Sequence, residues 1–211
     1  MGSFLDIFLS LSIFMIMYKD FYLSGKKGSD CSHINSSEMQ EFAKKSLPLQ
    51  QEELQYMCRQ HHLFLSSGGV GGSWRMLSVT GTVVAIYASR ISDTQGRQAQ
   101  LDMKNLSQLQ LQEIDLPFSS WVAAFARYQD FSDADLHGSI FCDASLANCI
   151  FADANLEQVD FSRAYLQKAS FMNANLKNAD FENCNLTGAD FRGAILDGAI
   201  FKGANLDGVW R

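Results

Sequence analysis

The chain has 211 residues, 47% of them hydrophobic, and its 23 acidic and 17 basic residues give a formal net charge of −6. This composition supports one large folded domain or two small ones, and the negative charge argues against direct nucleic-acid binding. The five cysteines are odd in number and scattered, so they do not suggest a disulfide framework and favour a reducing, cytoplasmic compartment.

The first predicted region is an apolar segment within residues 1–24. Phe4–Tyr18 is almost wholly apolar, but it is shorter than the ~20 residues that a membrane-spanning helix needs. It matches neither a secretory signal nor a myristoylation site. Three interpretations remain open: upstream sequence ahead of a true start at Met15 or Met17, a membrane anchor through residues 4–18, and a buried helix.

Residues 25–96 are predicted to form a small α+β module that begins with two helices. A polar linker leads to Ser37, and Gln40 completes a capping box, which predicts a short helix. A second helix should follow Pro48 and end at the run of serines and glycines after Leu65. Its acidic first turn and its helically spaced apolar positions comprise Glu52, Glu53, Leu54, Met57, Cys58 and Leu65.

The second half of this module is predicted to be a β-hairpin. Trp74–Val79 and Thr82–Ser89 are rich in strand-forming residues and are joined at Thr80-Gly81. Gln98–Met103 has the pattern of a third strand. We expect the whole module to cap the N-terminal backbone edge of the repeat that follows.

Two groups of residues in this module resemble functional motifs only superficially. The glycine run at residues 68–73 lacks the lysine that a phosphate-binding loop needs. Cys31, His33, Cys58 and His61 form a nominal set of zinc ligands, but the spacing of the first pair departs from the usual zinc pattern. We therefore predict no catalytic residue, no cofactor and no metal, and we do not expect an enzyme.

The region after residue 130 is a repeat in which phenylalanine and leucine alternate at every fifth position. A helix has a period near 3.6 residues and a strand a period of 2, so a period of five predicts a solenoid. The predicted core residues are Phe131, Leu136, Phe141, Leu146, Phe151, Leu156, Phe161, Leu166, Phe171, Leu176, Phe181, Leu186, Phe191, Leu196, Phe201 and Leu206.

A small residue lies two positions before almost every core residue, and Asp or Asn often lies between them, as in Ala134-Asp135-Leu136. In tandem, this pattern resembles the pentapeptide-repeat family, whose consensus is A(D/N)LXX. The resemblance implies an all-β solenoid, a right-handed quadrilateral parallel β-helix with one pentapeptide on each face of a coil. Residues 131–211 would then form about four regular coils, with the small N-terminal α+β module as their cap.

Because phenylalanine and leucine alternate within such a coil, each of them should lie above a residue of the same type in the preceding coil. Phenylalanines and leucines should therefore form separate columns in a dry interior. The five-residue period also extends back through residues 97–130. There, however, the inward position that normally carries a small residue is occupied by Lys104, Leu109 or Ile114. Because such bulk should not fit a narrow interior, we predict an irregular lead-in coil at residues 97–130.

Function is therefore expected on the outward positions. Apolar residues replace the usual Asp or Asn at several of them, and the predicted interaction surface comprises Ile140, Ile150, Tyr165, Ile195, Ile200 and Trp210. The last three lie near the C-terminal end of the repeat, where they could form an apolar patch. Either Trp210 folds over that end as a cap, or the end pairs with another molecule, in a homodimer or in a contact with a different partner.

Three functional hypotheses follow. The leading one is a non-enzymatic protein–protein interaction or scaffold module with a protein partner that the sequence does not identify. Some pentapeptide-repeat proteins imitate DNA and protect gyrase from inhibitors, so the resemblance implies an alternative, a DNA mimic that binds DNA gyrase or topoisomerase. Residues 130–211, with twelve acidic and six basic residues, fit that alternative. The third hypothesis is membrane association through residues 4–18.

Overall fold

The computed structural model describes residue 41 and residues 43–66, 77–79, 82–84 and 99–211. None of the described helices is long and apolar enough to cross a membrane. Several predicted features lie outside the described residues: the apolar segment at residues 4–18, the capping box at Ser37, the glycine run at residues 68–73, and Cys31 and His33.

Helix α1, Gln51–Ser66, is the predicted second helix. Glu52 and Glu53 lie in its first turn, where negative charge interacts favourably with the helix dipole. Its buried side chains are Leu54, His61 and Phe64. Met57 and Cys58 are partly buried and pack against the main hydrophobic core. One face of α1 is therefore part of the protein interior, as the apolar spacing predicted.

Strands β1, Leu77–Val79, and β2, Thr82–Val84, form a two-stranded antiparallel hairpin. The predicted hairpin is confirmed at these residues, and the rest of the two predicted strands lies outside the described residues. The predicted third strand is wrong, because Gln100 forms a parallel bridge with Ser120 and not with the hairpin. Residues 99–103 therefore belong to the repeat.

Residues 99–211 form a stack of coils that are joined by parallel bridges between residues twenty positions apart. The bridges run from the Gln100–Ser120 pair to the Asp190–Trp210 pair. Except at Gln110, each five-residue segment contributes one outward bridging residue, directly before the inward core residue. Four segments therefore complete a coil, and the stack has four faces.

Backbone hydrogen bonds tie each coil to the coils before and after it. Ile150 donates its N–H to the carbonyl of Gln129 at 3.0 Å, and Phe151 donates to the carbonyl of Ser170 at 2.7 Å. At the following corner, Asp153 has a φ of 59°. Asp, Asn and Gly tolerate this left-handed conformation best, which explains their frequency two positions after the core residue.

The interior contains two columns of aromatic rings, as the alternation predicted. In the first, Phe131, Phe151, Phe171 and Phe191 follow one another at ring-centroid distances of 4.8, 5.2 and 4.9 Å. In the second, Phe141, Phe161, Phe181 and Phe201 follow at 5.2, 5.3 and 5.0 Å. Trp121 begins the second column, 5.1 Å from Phe141. Rings of different columns meet edge to face.

The prediction of an irregular lead-in is wrong for residues 99–130, because they continue the same coil. Asn105 forms a parallel bridge with Phe125. Leu109 and Ile114 are buried, with 7% and 9% exposure. They fit because the core residues of this coil are the smaller leucines Leu101, Leu106, Leu111 and Leu116. Apolar volume is thus redistributed between the two inward positions of each segment.

The backbone edge at the N-terminal end of the stack is covered by α1 and the residues before it. Leu49 donates its N–H to the carbonyl of Asn105 at 2.8 Å, as a preceding coil would. The side-chain amide of Gln51 pairs with the backbone of Gln110 in both directions, at 2.9 and 3.3 Å. A side-chain amide therefore takes the place of a peptide group in the missing coil.

His61 of α1 covers another part of the same edge. Its side chain is completely buried. Its Nδ1 accepts a hydrogen bond from the N–H of Ala99 at 3.1 Å, and its Nε2 lies 2.6 Å from the carbonyl oxygen of Pro117. Because a carbonyl only accepts, Nε2 carries the proton and the ring is neutral. Burial lowers the pKa of His61, which favours this neutral form.

Candidate interaction surface

The interior of the stack is filled by the protein's own side chains. The predicted core residues from residue 131 to residue 186 have 0% exposure, and Phe191 has 3%. Leu196, Phe201 and Leu206 in the last coil are only partly buried. Within residues 99–211, the side chains available to another molecule are therefore the outward ones and those at the end of the stack in this last coil.

The two inward cysteines behave as small core residues. Cys149 donates its thiol hydrogen to the carbonyl of Ala126 at 2.8 Å, and Cys184 donates to the carbonyl of Phe161 at 2.7 Å. Burial raises the pKa of Cys149 to about 12 and also raises that of Cys184. Both thiols therefore stay protonated at neutral pH, and neither is a reactive nucleophile.

The nominal zinc set is not supported by the two of its members that the structure describes. Both ring nitrogens of His61 are engaged by backbone groups. Burial raises the pKa of Cys58, which disfavours the thiolate that a metal would need. Within the described part of the chain, no group of three or more His, Cys, Asp or Glu residues could hold a metal ion.

The predicted surface residues differ in how far solvent reaches them. The prediction that Ile140 is an exposed contact residue is wrong. Only 4% of Ile140 is exposed, and its outward neighbours Val122 and Cys142 are also buried. Tyr165 and Ile200 are half-buried. The exposed members are Ile150 at 42%, Ile195 at 43% and Trp210 at 63%. Counting repeats identified the outward positions but not which of them are covered.

Trp210 does not fold over the end of the stack. It forms a parallel bridge with Asp190, and its N–H donates to the carbonyl of Ala189 at 2.9 Å. Its ring lies beside the guanidinium group of Arg192, 5.7 Å from the ring centroid, and Arg192 pairs with Asp190 at 2.6 Å. Trp210 therefore continues one side face of the stack.

We define the end surface as Ile195, Leu196, Ile200, Phe201 and Leu206. These apolar side chains are exposed or only partly buried. In the preceding coil, the equivalent core residue Leu176 is fully buried and donates its N–H to the carbonyl of Ile195 at 2.9 Å. Within the described residues, no further coil covers the last one. The end surface therefore combines apolar side chains with a backbone edge.

Several polar side chains on the other outward positions bond along the stack. Asn155 donates to Asp135 at 3.0 Å, and Asn175 donates to Asn155 at 3.1 Å. Ion pairs also link successive coils: Arg163 with Asp143 at 2.7 Å and Lys202 with Glu182 at 3.0 Å. These contacts neutralise part of the outward charge within the protein itself.

Comparison with known families identifies the repeat. The model of the pentapeptide repeat region matches residues 134–210. Residues 134–210 are therefore a pentapeptide repeat region, as the resemblance of the sequence predicted. Comparison with curated proteins gives no match.

The chain is also similar to solved pentapeptide repeat structures. A protein of the Arabidopsis thaliana thylakoid lumen is 31% identical over 47% of this chain and 66% of its own, with a TM-score of 0.38. QnrB1, a plasmid-mediated fluoroquinolone resistance protein, is 21% identical over 52% and 55%, with a TM-score of 0.32. HetL of the cyanobacterium Nostoc, involved in heterocyst differentiation regulation, is 19% identical over 57% and 69%, with a TM-score of 0.31. The chain spans less than two thirds of the first two structures.

Proposed function

We propose that this chain is a non-enzymatic protein–protein interaction module, built on a right-handed quadrilateral β-helix, that makes its main contact through the end surface. The observation that carries the proposal is the partial exposure of Leu196, Phe201 and Leu206, whose equivalents in earlier coils are fully buried. Apolar area of this kind is stabilised when a partner covers it. The filled interior supports a contact at the surface over a pocket for a small molecule.

The partner that we propose for the end surface is a second copy of the chain. If two stacks met end to end, the end surface of each copy would pack against the end surface of the other and bury its apolar residues. Contact through the same surface on both copies is the geometry of a twofold-symmetric dimer. The backbone edge of the last coil would be shielded in the same contact, so it would no longer recruit unrelated strands.

Sedimentation equilibrium of the full chain tests the proposed dimer. We expect the wild-type protein to dimerise in a concentration-dependent way and the double variant Ile195→Asp, Ile200→Asp to be monomeric. Asp already occupies the same two columns at Asp135 and Asp160, so the fold should accept both changes. The matched control is Ile150→Asp, which changes an isoleucine of similar exposure on a side face.

The control variant should dimerise like the wild-type protein. A monomeric wild-type chain would contradict the proposed dimer, and so would dimerisation that the double variant leaves unchanged. Far-ultraviolet circular dichroism of all three proteins would verify that each retains the fold.

A second candidate function is a DNA mimic that binds DNA gyrase or topoisomerase. The excess of acidic residues in residues 130–211, twelve against six basic ones, favours it. The test is a supercoiling assay with purified gyrase, with and without an inhibitor. If the chain changes neither supercoiling nor its inhibition, this candidate is rejected.

A cytoplasmic location fits the cysteine content, and membrane association through residues 4–18 remains the alternative. Fractionation of cells that express the full chain or a form starting at Met17 tests it. Equal distribution of the two forms in the soluble fraction would reject the anchor.

A further inference from the structure

One side of the stack combines exposed apolar side chains with a column of carboxylates. We call this side the Ile150 face. It consists of the outward side chains of residues 110–113, 130–133, 150–153 and 170–173. These segments lie in successive coils, because Asp130 forms a parallel bridge with Ile150, and Ile150 forms one with Ser170.

The centre of the Ile150 face is apolar. Ile150 is 42% exposed and Met172 is 38% exposed. Ala152 lies two residues after Ile150, on the same outward side, and Met172 lies in the next coil directly above Ala152. Ala152 is half-buried at the corner, and neighbouring coils are about 4.8 Å apart, so Ile150 and Met172 lie near each other on this side of the stack; we call these two residues the apolar strip.

A column of three carboxylates runs along one border of this strip. Glu113, Asp133 and Asp153 occupy the same corner position in successive coils, with φ values of 54°, 59° and 59°. The N–H of Glu113 donates to Ser132 at 2.8 Å, which places the next coil directly against it. All three side chains are exposed, and the column repeats at about 4.8 Å, the spacing of adjacent strands.

The carboxylate column belongs to the acidic groups of the stack that have no basic partner within the described residues. Asp143, Glu182 and Asp190 each form an ion pair with a described Arg or Lys. No ion pair joins the three carboxylates of the column to a described cation. Their negative charges repel one another across adjacent coils, so a cation from another molecule would be attracted to this position.

The Ile150 face gains a further negative charge at Asp130. Burial alone would raise the pKa of Asp130. Hydrogen bonds from Ser132 and Gln112 nevertheless hold this pKa below its usual value, so the carboxylate stays ionised. Asp130 and Glu113 also line a shallow, open groove at the N-terminal end of the face. The face therefore presents four carboxylates beside the apolar strip.

We propose that the Ile150 face binds a basic, amphipathic segment of a partner protein. Lys or Arg side chains of that segment would pair with the carboxylate column, and an apolar side chain would lie on Ile150 and Met172. This inference rests on the proposed interaction function but uses a surface separate from the end surface. Exposed ion pairs contribute little individually, so the apolar contact is needed for measurable affinity.

Fluorescence anisotropy with the full chain and synthetic peptides tests the proposal. The probe is a labelled peptide of alternating lysine and leucine, and its two reference peptides replace lysine by glutamate or leucine by serine. We expect the lysine–leucine peptide to bind and both reference peptides to bind much more weakly. Equal binding of the lysine–serine peptide would overturn the proposal, because attraction to negative charge alone would then explain the signal.

Variants of the chain locate the binding site. Asp133→Asn with Asp153→Asn should weaken binding about five-fold through the loss of two exposed ion pairs. Asn173 already occupies the same column at φ 59°, so this change should leave the backbone intact. Ile150→Ser should weaken binding by about five-fold as well, through the loss of apolar contact area.

The matched control removes two exposed carboxylates from other faces, by Asp197→Asn with Asp207→Asn, and should change binding less than about two-fold. Equal weakening by the control pair would overturn the proposal, and so would the absence of binding to the wild-type chain. The double variant of the end surface should bind the peptide normally. Loss of dimerisation and loss of peptide binding are therefore separate results, and each proposal can fail without the other.

Discussion

The backbone edges at the two ends of the stack differ in what covers them. At the N-terminal end, Leu49, Gln51 and His61 hydrogen bond to the first coil. At the other end, Leu196 and Phe201 are only partly buried, and no described element covers them. An open parallel edge offers amide and carbonyl groups to any strand that approaches. Within the described residues, the two ends therefore differ in what lies against their backbone edges.

The two regions also differ in how their cores are packed. The first coil has leucines in place of phenylalanines and gains volume from Leu109 and Ile114. Later coils stack rings at about 5 Å, as in the pair Phe171–Phe191 at 4.9 Å. The N-terminal coil thus depends on its cap for burial, whereas the central coils depend on one another.

Truncation of a central ring should have the largest effect. Phe171→Ala removes a fully buried side chain that stacks on two rings, and it should lower the free energy of unfolding by about 3–5 kcal/mol. Phe201→Ala in the last coil, where the ring is partly buried, should lower it by less. Urea denaturation measures both. Equal losses would mean that the last coil is as well packed as the centre.

Loss of the buried imidazole should open the covered end. His61→Leu leaves the N–H of Ala99 and the carbonyl of Pro117 unpaired, and we expect a loss of about 2–4 kcal/mol. His62→Leu, which removes an exposed side chain paired with Asp115, should cost less than about 1 kcal/mol. Thermal unfolding of both variants provides the measurement, and similar losses would contradict the assigned role of His61.

The same histidine predicts a dependence of stability on pH. The pKa of His61 is lower in the folded than in the unfolded protein, because burial disfavours the charged ring, with His62 adding to the effect and Asp115 opposing it. The contribution of His61 to the stability of the fold is therefore fully present above its pKa in the unfolded protein, about 6.5, and is lost as the pH falls below that pKa. Melting temperature measured across this range should decline for the wild-type protein and decline less for His61→Leu.

The period of five predicted the ring columns because the place of a side chain in a solenoid depends only on its repeat number. The carboxylate column of the Ile150 face was missed, although comparing residues twenty positions apart reveals Glu113, Asp133 and Asp153. The contacts of Gln51 and His61 lie 59 and 56 positions away in the chain and follow no period. Such single, long-range contacts depend on the folded structure and leave no pattern in the sequence.

The smallest expected effect tests whether Gln51 acts as a substitute for a peptide group. Gln51→Glu keeps an acceptor for the N–H of Gln110 but removes the donor to its carbonyl, at a cost of about 0.5–1.5 kcal/mol. Gln55→Glu, an identical change at an exposed site on the same helix, is the control. Urea denaturation should show this loss of stability in the first variant alone. Unchanged stability would mean that the N-terminal end is covered without this pair, and that the two ends differ less than the hydrogen bonds indicate.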